Sequence, residues 1–555
     1  MSYGEAEWRN YLLNHRIIET QSEAKRRDAV MGLLRSLLPS FTRLCATKNN
    51  QKQDDFDCQL LPFGSYGLGA HVAGGDIDVV MLAPMSIRRS DFIQFFSKIL
   101  KSQPRVFEVE IVAHASVPII KCVIDSIDID ISFITLQMTS VPVDIDLLND
   151  NFLHDMEGTC LASADGPRVN QFILKHIYPN DMPAFVLALQ CIKHWAKQRG
   201  IYNKPMGYLN GGSWTLLLVK TYFLKRSQST SNNILEYSQT SRSARSSPLL
   251  TSDIESRPSS SASAYSTTNS ASSSPIATPA NAFLSPARTI TFISLLESFY
   301  TIWSSWPWPD PVILTKSIPI ILGQPTSDTN TLDNIEDFRD SLLPIVTPCY
   351  PVNNASPFVT KSTLAVMTKE LQRADHILKS SDFARPTEMM DKFFKPLNLV
   401  KEYKHFIKVT VSCDTGKSHD IWSRRMKTYL PRLVQLLESL EEVKIARPFT
   451  QSYASCAHYR TRYDKDALRH GEELAEMDSI GPLEPGSLFI NCFLIGLEFM
   501  DHCKMNETLV DMSEINEDFS NQIDSRMNAK DSDVFVHLDA IKRRQVAVLI
   551  QNSVT

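Results

Sequence analysis

Two β-like segments about fifty residues apart carry an aspartate at every second position, Asp76 and Asp78 in the first and Asp128 and Asp130 in the second. Because side chains alternate between the two faces of a strand, each pair of carboxylates lies on one face, and the isoleucine and valine neighbours point the other way, into a core. Carboxylates held side by side repel each other, which is costly unless a cation lies between them. The pattern therefore predicts a β-sheet that presents acidic side chains to a cation.

The ligand chemistry of this predicted site favours Mg²⁺, which binds through a few carboxylates, waters and substrate phosphates. If the two strands are neighbours, a third carboxylate joins the first pair. Three carboxylates can hold two divalent ions about 3.5–4 Å apart, an arrangement that supports in-line phosphoryl or nucleotidyl transfer. For Asp128 alone, a solvated position on a half-buried strand is an open alternative.

A glycine-serine pair, Gly64 and Ser65, precedes the first acidic strand at a point where a strand is predicted to turn into a short helix. Glycine lets the backbone approach a phosphate closely, and free N–H groups and the serine hydroxyl can then donate to its oxygens. A Gly-Ser pair alone is weak evidence for such a site. Its fixed spacing from Asp76 and Asp78 makes the combination much more specific than a glycine-rich turn beside two solvated strands.

Length and composition limit the class of protein. The 555 residues suggest about three or four domains. The net charge of −5 excludes a small basic coat protein but leaves room for a local nucleic-acid-binding patch. The sequence has no uninterrupted apolar run of transmembrane length, no signal-type apolar stretch at the N-terminus and no C-x-x-C pair among its ten cysteines. We therefore expect a protein of a reducing compartment without membrane insertion.

The pattern along the chain changes three times. Helical spacing at the N-terminus gives way to short β-like runs from about residue 60, and helical spacing returns from about residue 181. Residues 227–288 contain 20 serines and few large apolar side chains, so 226–288 is predicted to be a disordered insertion. Beyond about residue 401 the pattern is mixed again. The basic clusters 25–27 and 542–544 are expected to be solvated helix faces.

These motifs resemble the nucleotidyltransferase signature, and the longer match is similar to eukaryotic poly(A) polymerases of the nuclear type. Later phrases continue the resemblance over nearly the whole chain, apart from the serine-rich range and the two ends. The phrases are FGSYGLG (63–69), GGDIDVVMLAP (74–84), SVPIIK (116–121), IDIDISF (127–133), IKHWAKQRGIY (192–202), GYLNGGSW (207–214), WPWPDPVIL (306–314), LPIVTPCYP (343–351), EYKHFI (402–407), VKIARPFT (443–450) and FLIGLEF (493–499).

The resemblance implies an α+β multidomain architecture. A mixed-sheet nucleotidyltransferase (palm) domain would occupy residues 1–180. A helical central domain would occupy 181–400, interrupted by the insertion. An RRM-like RNA-binding domain with an acidic C-terminal region would occupy 401–555, where Tyr403 and Phe406 are candidates for stacking on RNA, with packing in the core as the alternative.

The resemblance also implies the site and its substrates. Asp76, Asp78 and Asp130 would be the catalytic, metal-binding aspartates for two Mg²⁺ ions, for which Mn²⁺ could substitute. The implied activity is template-independent addition of AMP from ATP to an RNA 3′ end. The implied nucleotide-binding residues are Phe63, Gly64, Ser65, Lys193, Tyr202, Gly211 and Gly212.

The family resemblance further implies a nuclear, monomeric catalytic subunit that works with cleavage and polyadenylation complex subunits. The chain departs from the family pattern at Gly67, Asp165, Lys204 and Gly212, where the family has arginine, two asparagines and valine. These departures leave two alternatives open. One is another RNA terminal nucleotidyltransferase, of uridylyl or CCA type, and the other is a catalytically silent RNA-binding scaffold.

Overall fold

The computed structural model of the chain describes residues 4–49, 57–113, 115, 117–243, 289–315, 336–472, 482–501, 512–527 and 531–553. Most of the predicted insertion, residues 244–288, lies outside this range. The preceding helix, Gly211–Ser243, overlaps the first residues of the predicted insertion. No glycine or proline occurs between Gly212 and Pro248 to end this helix earlier.

The first domain is built on a five-stranded mixed sheet with the order β1-β2-β5-β4-β3. Only β2 and β5 run parallel; the other neighbouring pairs are antiparallel. The strands are β1 Gln59–Phe63, β2 Ile77–Ala83, β3 Val106–Val112, β4 Ile119–Ile124 and β5 Ile127–Thr135.

Both faces of this sheet are covered. Ile77 and Val79 of β2 are fully buried in a core shared with the long helix Gln21–Asn49. The opposite face, with Val80 and Leu82, packs on the helix Gly158–His176. The acidic side chains share the face of Val80, as the alternation predicts, and lie where β2 begins. Shorter helical segments complete the domain: Gly64–Gly67, Arg89–Asp91, Phe92–Phe96, Ser97–Lys101 and Asp150–Leu153.

The central domain is helical. Its helices and short turns are Met182–Gln198, Lys204–Met206, Gly211–Ser243, Phe292–Trp303, Glu336–Arg339, Lys361–Lys379, Pro386–Phe393 and Leu399–Glu402. The N-terminal helix Glu5–Asn14 packs against this domain. Its buried Trp8 contacts the rings of Phe292 and Phe393 at centroid distances of 5.6 and 5.7 Å. The segment therefore links the two domains, because its apolar side matches the aromatic core of the second.

The third domain has the β-α-β-β-α-β order expected of an RRM-like fold, with one added short helix between its second and third strands and another after its last strand. Its antiparallel sheet has the order β7-β8-β6-β9. The elements are β6 His405–Cys413, helix Gly416–Glu438, β7 Val443–Thr461, helix Arg462–Arg469, β8 Leu483–Phe499, helix Ser513–Asp524, β9 Val534–Lys542 and helix Arg543–Ser553. Tyr403 and Phe406 are buried and pack on Phe449, so the core alternative holds for both rings.

A buried ion network joins the central and third domains. Arg199 donates from Nε to the carboxylate of Glu370 at 2.8 Å, and Arg447 of β7 approaches the same carboxylate at 3.5 Å. Arg447 also donates to the carbonyl of Arg199 at 2.7 Å. Because these charges are 7% exposed or less, the network depends on every member being paired.

No helix among the described residues has both the length and the hydropathy needed to cross a bilayer.

Candidate active site

Three aspartates converge at the start of β2. Asp78 lies directly opposite Asp130 in the parallel pair β2–β5, and Asp76 immediately precedes β2. Carboxylate oxygens of all three lie within 4.8 Å of one another. The expected third carboxylate therefore joins the first pair. Asp128 is exposed, and it is not part of the cluster found among the described residues.

The electrostatics of the cluster favour a bound cation. Burial, reinforced by the charges of Asp76 and Asp130, raises the pKa of Asp78 to about 7. Burial also raises the pKa of Asp130, although Lys121, whose Nζ lies 3.1 Å from its Oδ2, opposes this. A divalent cation would offset both the burial of these carboxylates and their mutual repulsion. The all-oxygen donor set and the spacing of the three carboxylates fit such an ion.

The Gly64-Ser65 turn lies against this cluster. Strand β1 ends at Phe63, opposite Asp78, and the short helix Gly64–Gly67 follows, as the sequence predicts. Gly64 has φ +62°, and a Cβ at this position would lie 2.5 Å from Asp78 Oδ2. Glycine suits this close approach, because a side chain would be strained at this φ and its Cβ would displace the Asp78 carboxylate.

A cavity of about 530 Å³ opens in front of the aspartates. The first domain contributes the turn and the acidic residues, and the central domain contributes Lys193, Tyr202 and the start of the helix Gly211–Ser243. Asp130 is the one predicted site residue that does not line it, although its neighbour Asp78 does. The predicted residues that line the cavity are Phe63, Gly64, Ser65, Asp76, Asp78, Lys193, Tyr202, Gly211 and Gly212.

Lys193 is a buried cation on the wall formed by the helix Met182–Gln198. Its side chain has too little contact with water to hold a full charge easily: burial, aided by the nearby Lys197, lowers its pKa to about 8. The carboxylates of Asp78 and Asp76 partly oppose this shift. A buried ammonium group facing the cavity is suited to bind an anionic ligand, because phosphate charge would replace the lost hydration.

Tyr202 and Gly211 lie together beside Lys193. The phenolic oxygen of Tyr202 accepts a hydrogen bond from the Gly211 backbone, and burial together with the charges of Asp76 and Asp78 raises its pKa to about 12. A Cβ on Gly211 would lie 2.5 Å from the Tyr202 hydroxyl, so this contact requires glycine. Gly212 has no such requirement, since its nearest neighbour is Asn210 Oδ1 at 3.5 Å.

Three of the four departures from the family pattern, Asp165, Lys204 and Gly212, line the same cavity. A side chain at position 67 would meet the Pro62 carbonyl at 2.8 Å and the Asn170 amide at 2.9 Å, which explains the glycine there. Asp165 and Lys204 both line the cavity and interact electrostatically; burial raises the pKa of Asp165, and its charge partners Arg168 and Lys204 oppose this. The two departures at 165 and 204 are thus complementary in charge.

Sequence reasoning missed some cavity residues. Asn170 is 6% exposed, and its Oδ1 has no hydrogen-bond partner. It shares one face of the helix Gly158–His176 with Gly166, Val169 and Ile173, which also line the cavity. Asn170 follows Gly166 by four residues, so helical periodicity could have predicted that both lie on the same face. Arg27, expected on a solvated face, is 2% exposed and reaches the loop before Asp76.

The comparisons with known proteins agree with this architecture. Residues 6–177 match the model of a poly(A) polymerase nucleotidyltransferase domain, and residues 399–553 that of a poly(A) polymerase predicted RNA binding domain. Residues 184–292 and 284–396 match the poly(A) polymerase central domain. The chain is thus a three-domain protein of nucleotidyltransferase type. It belongs to the poly(A) polymerase family.

Individual relatives are distant. A poly(A) polymerase of Dictyostelium discoideum is 27% identical over 464 residues, which cover 83% of this chain and 48% of that protein. Nuclear poly(A) polymerase 4 of Arabidopsis thaliana is 26% identical over 507 residues, which cover 89% of this chain and 59% of that protein. The chain thus spans about half the length of these two relatives.

Among solved structures, a Cid1 poly(U) polymerase mutant bound to MgATP is 17% identical, with a TM-score of 0.40, and covers 71% of this chain and 99% of that one. At that TM-score the superposition carries no argument about substrate.

Proposed function

We propose that this chain catalyses template-independent addition of AMP from ATP to an RNA 3′-hydroxyl, with release of pyrophosphate. The observation that carries the proposal is the meeting of three carboxylates within 4.8 Å at a cavity whose other wall holds the buried cation Lys193. Membership of the poly(A) polymerase family supports the choice of ATP and RNA. The division into domains 1–180, 181–400 and 401–555 belongs to the same proposal.

The acidic cluster would hold two Mg²⁺ ions, with Mn²⁺ as a substitute. Bound there, the ions would supply a lowered pKa for the attacking hydroxyl and charge stabilisation for the leaving pyrophosphate. Asp78 and Asp130 have fixed positions because their strands pair in register. No protein side chain is assigned as a general base. The protein mainly positions the reactants and stabilises charge.

The nucleotide would lie in the cavity with its phosphates towards Lys193 and the Gly64-Ser65 turn. Lys193 supplies positive charge in a site with little water, where an ion pair with phosphate is stronger than at the surface. Ser65 offers a hydroxyl donor, and Phe63 offers a ring to the nucleotide. Gly211 and Gly212 let the backbone come close to it.

The third domain would hold the upstream RNA, mainly through backbone contacts and stacking. Because Tyr403 and Phe406 are buried, other side chains of the domain would have to provide that stacking. We further propose a nuclear location, supported by the Arabidopsis relative that is named as nuclear. A monomeric catalytic subunit that acts with cleavage and polyadenylation complex subunits completes the proposal.

An extension assay tests the activity. Purified protein, a labelled RNA with a free 3′-hydroxyl and Mg²⁺ are mixed separately with each of the four ribonucleoside triphosphates. We expect a ladder with ATP, and we expect Asp78→Asn and Asp130→Asn to abolish it because each removes an oxygen ligand without changing shape. Asp128→Asn is the matched control, since this exposed aspartate lies outside the cluster. It should extend RNA like wild type.

The same assay separates the alternatives. Extension with UTP or CTP as efficient as with ATP would retain the transferase and refute the adenylyl assignment; the charged pair Asp165 and Lys204 in the cavity makes this comparison informative. Failure of every nucleotide with Mg²⁺ and with Mn²⁺, while RNA remains bound, would refute catalysis and favour a binding scaffold.

A further inference from the structure

The position of Asp76 depends on a loop rather than on a strand. Asp78 and Asp130 are held by the β2–β5 register, but Asp76 precedes the first residue of β2. The loop that leads to it contains Gly69 and Gly74 with φ of +66° and +71°. A Cβ on either glycine would have open space around it, so packing at these two positions does not hold the loop. Other contacts must therefore fix the Asp76 carboxylate.

Arg27 of the helix Gln21–Asn49 provides the contact nearest to Asp76. Its Nη2 donates to the carbonyl of Gly75, the residue directly before Asp76, at 2.6 Å. Its Nε donates to Glu19 Oε1 at 2.5 Å. The two side chains are only 3% and 8% exposed. A charge-assisted hydrogen bond from a buried, paired guanidinium is among the stronger polar contacts in a protein.

Glu19 also contacts a second residue of the same loop, His71. Its other oxygen, Oε2, lies 3.0 Å from His71 Nε2. The carbonyl of His71 accepts from Gln190 of the central domain at 2.8 Å. The backbone N–H of Ala73 donates to the carbonyl of Ile17 at 2.9 Å. The loop is therefore fixed along its length by the segment before the Gln21–Asn49 helix and by the central domain.

We propose that Arg27 and Glu19 are positioning residues that aim Asp76 at its two partner carboxylates and so set the affinity of the cluster for divalent cations. Neither residue touches the ion; they act through the Gly75 carbonyl and the loop. Carboxylates bind a cation tightly only when their oxygens converge beforehand, and partners behind the ligands typically contribute 10–100-fold in metal affinity. The inference rests on the metal site of the proposed function.

The test measures Mn²⁺ binding directly, from the electron paramagnetic resonance signal of the free ion, on the whole 555-residue chain without nucleotide. We expect Arg27→Gln to weaken binding by about tenfold or more. The matched control is Arg89→Gln. Arg89 is another arginine of the first domain, which donates to the Phe133 carbonyl at 3.1 Å and stacks on its ring. The Arg89→Gln variant should bind Mn²⁺ like wild type, even where its melting temperature falls as much as that of Arg27→Gln.

Glu19 supplies a second, gentler pair of variants in case Arg27→Gln does not fold. Glu19→Gln keeps an acceptor for Arg27 and should bind Mn²⁺ within about threefold of wild type, whereas Glu19→Ala should resemble Arg27→Gln. Wild-type affinity in both Arg27→Gln and Glu19→Ala would overturn the inference. So would an equal loss in Arg89→Gln, which would indicate general destabilisation.

The same measurements distinguish a failure of the proposed function from a failure of the positioning role. Wild-type protein that binds Mn²⁺ with the expected dependence on Arg27 but adds no nucleotide to RNA would refute the activity and support the positioning role. Wild-type protein that binds no Mn²⁺ would overturn the positioning role and the metal site together.

Discussion

Replacing Lys193 by methionine should stabilise the fold while it weakens nucleotide binding. The ammonium group is buried, and its pKa falls from 10.5 to about 8. Each unit of pKa shift corresponds to about 1.4 kcal/mol, so keeping the ammonium group charged costs the folded state about 3 kcal/mol at neutral pH. Methionine has a similar length and carries no charge, so Lys193→Met should recover up to about 3 kcal/mol. It removes the positive charge offered to phosphate at the same time.

The pH dependence provides the sharper test. Because the folded pKa lies below the unfolded value, the unfolded wild type binds more protons between pH 8 and 10.5. The stability of the wild type therefore rises with pH in this window relative to Lys193→Met. The advantage of the variant should be full at pH 7 and should shrink above about pH 8. Affinity of the wild type for ATP should fall over the same range as Lys193 loses its charge.

Thermal denaturation in a metal chelator, from pH 7 to 9.5, measures the stability difference, and calorimetric titration measures ATP binding. Lys197→Met is the control: Lys197 lies one helical turn away, lines the same cavity and is exposed. Lys197→Met removes only the repulsion that Lys197 exerts on Lys193, so its stability gap should narrow with pH but stay much smaller than that of Lys193→Met. A Lys193→Met protein that is less stable than wild type at pH 7, or a gap independent of pH, would refute the argument from burial.

Two further substitutions follow from contacts in the structure. Gly64→Ala should reduce RNA extension by at least tenfold with a smaller effect on melting, because the new Cβ would meet Asp78 Oδ2 at 2.5 Å and displace that carboxylate. Glu370→Gln should lower the free energy of unfolding by about 3–5 kcal/mol, measured by denaturant titration, because it leaves the buried charges of Arg199 and Arg447 without their shared partner.

Each of these two substitutions has a control in the chain. Gly69→Ala introduces the same positive-φ strain, at φ +66°, but has open space around the new atom. If it impairs extension as much as Gly64→Ala, the clash with Asp78 is not the cause. Glu388→Gln removes a carboxylate that pairs with the exposed Arg385. An effect of this control equal to that of Glu370→Gln would contradict the role of burial.

The motif at the acidic strands could be predicted almost completely, because alternation along a strand is a local property. Ile77 and Val79 are buried as the pattern predicts, and the carboxylates share the other face. Gly64 lies at a turn with a positive φ, as a strand-to-helix glycine suggests. The α+β fold that the resemblance implied for the third domain is also confirmed.

Local pattern says least where long-range packing decides. Trp8 contacts Phe393 across nearly 400 residues of chain, so the N-terminal helix packs against the central domain. Arg27 belongs to a basic cluster that looks solvated, yet it is buried against Glu19 and the Asp76 loop. Asn170 carries no motif, and it reaches the cavity only because its helix covers the sheet.

The order of residues alone determined the chemistry: carboxylates on alternate strand positions, a glycine-serine turn at a fixed spacing and a family signature along the chain. The family resemblance had already selected Asp130 rather than Asp128 as the partner of Asp78. Only the tertiary structure decided that Lys193 carries its charge out of water and that Arg27 contacts the loop of Asp76. The physical reason is that register, burial and charge separation depend on atoms contributed by distant parts of the chain. Local sequence pattern specifies a side chain and its face, but not the neighbours that it meets there.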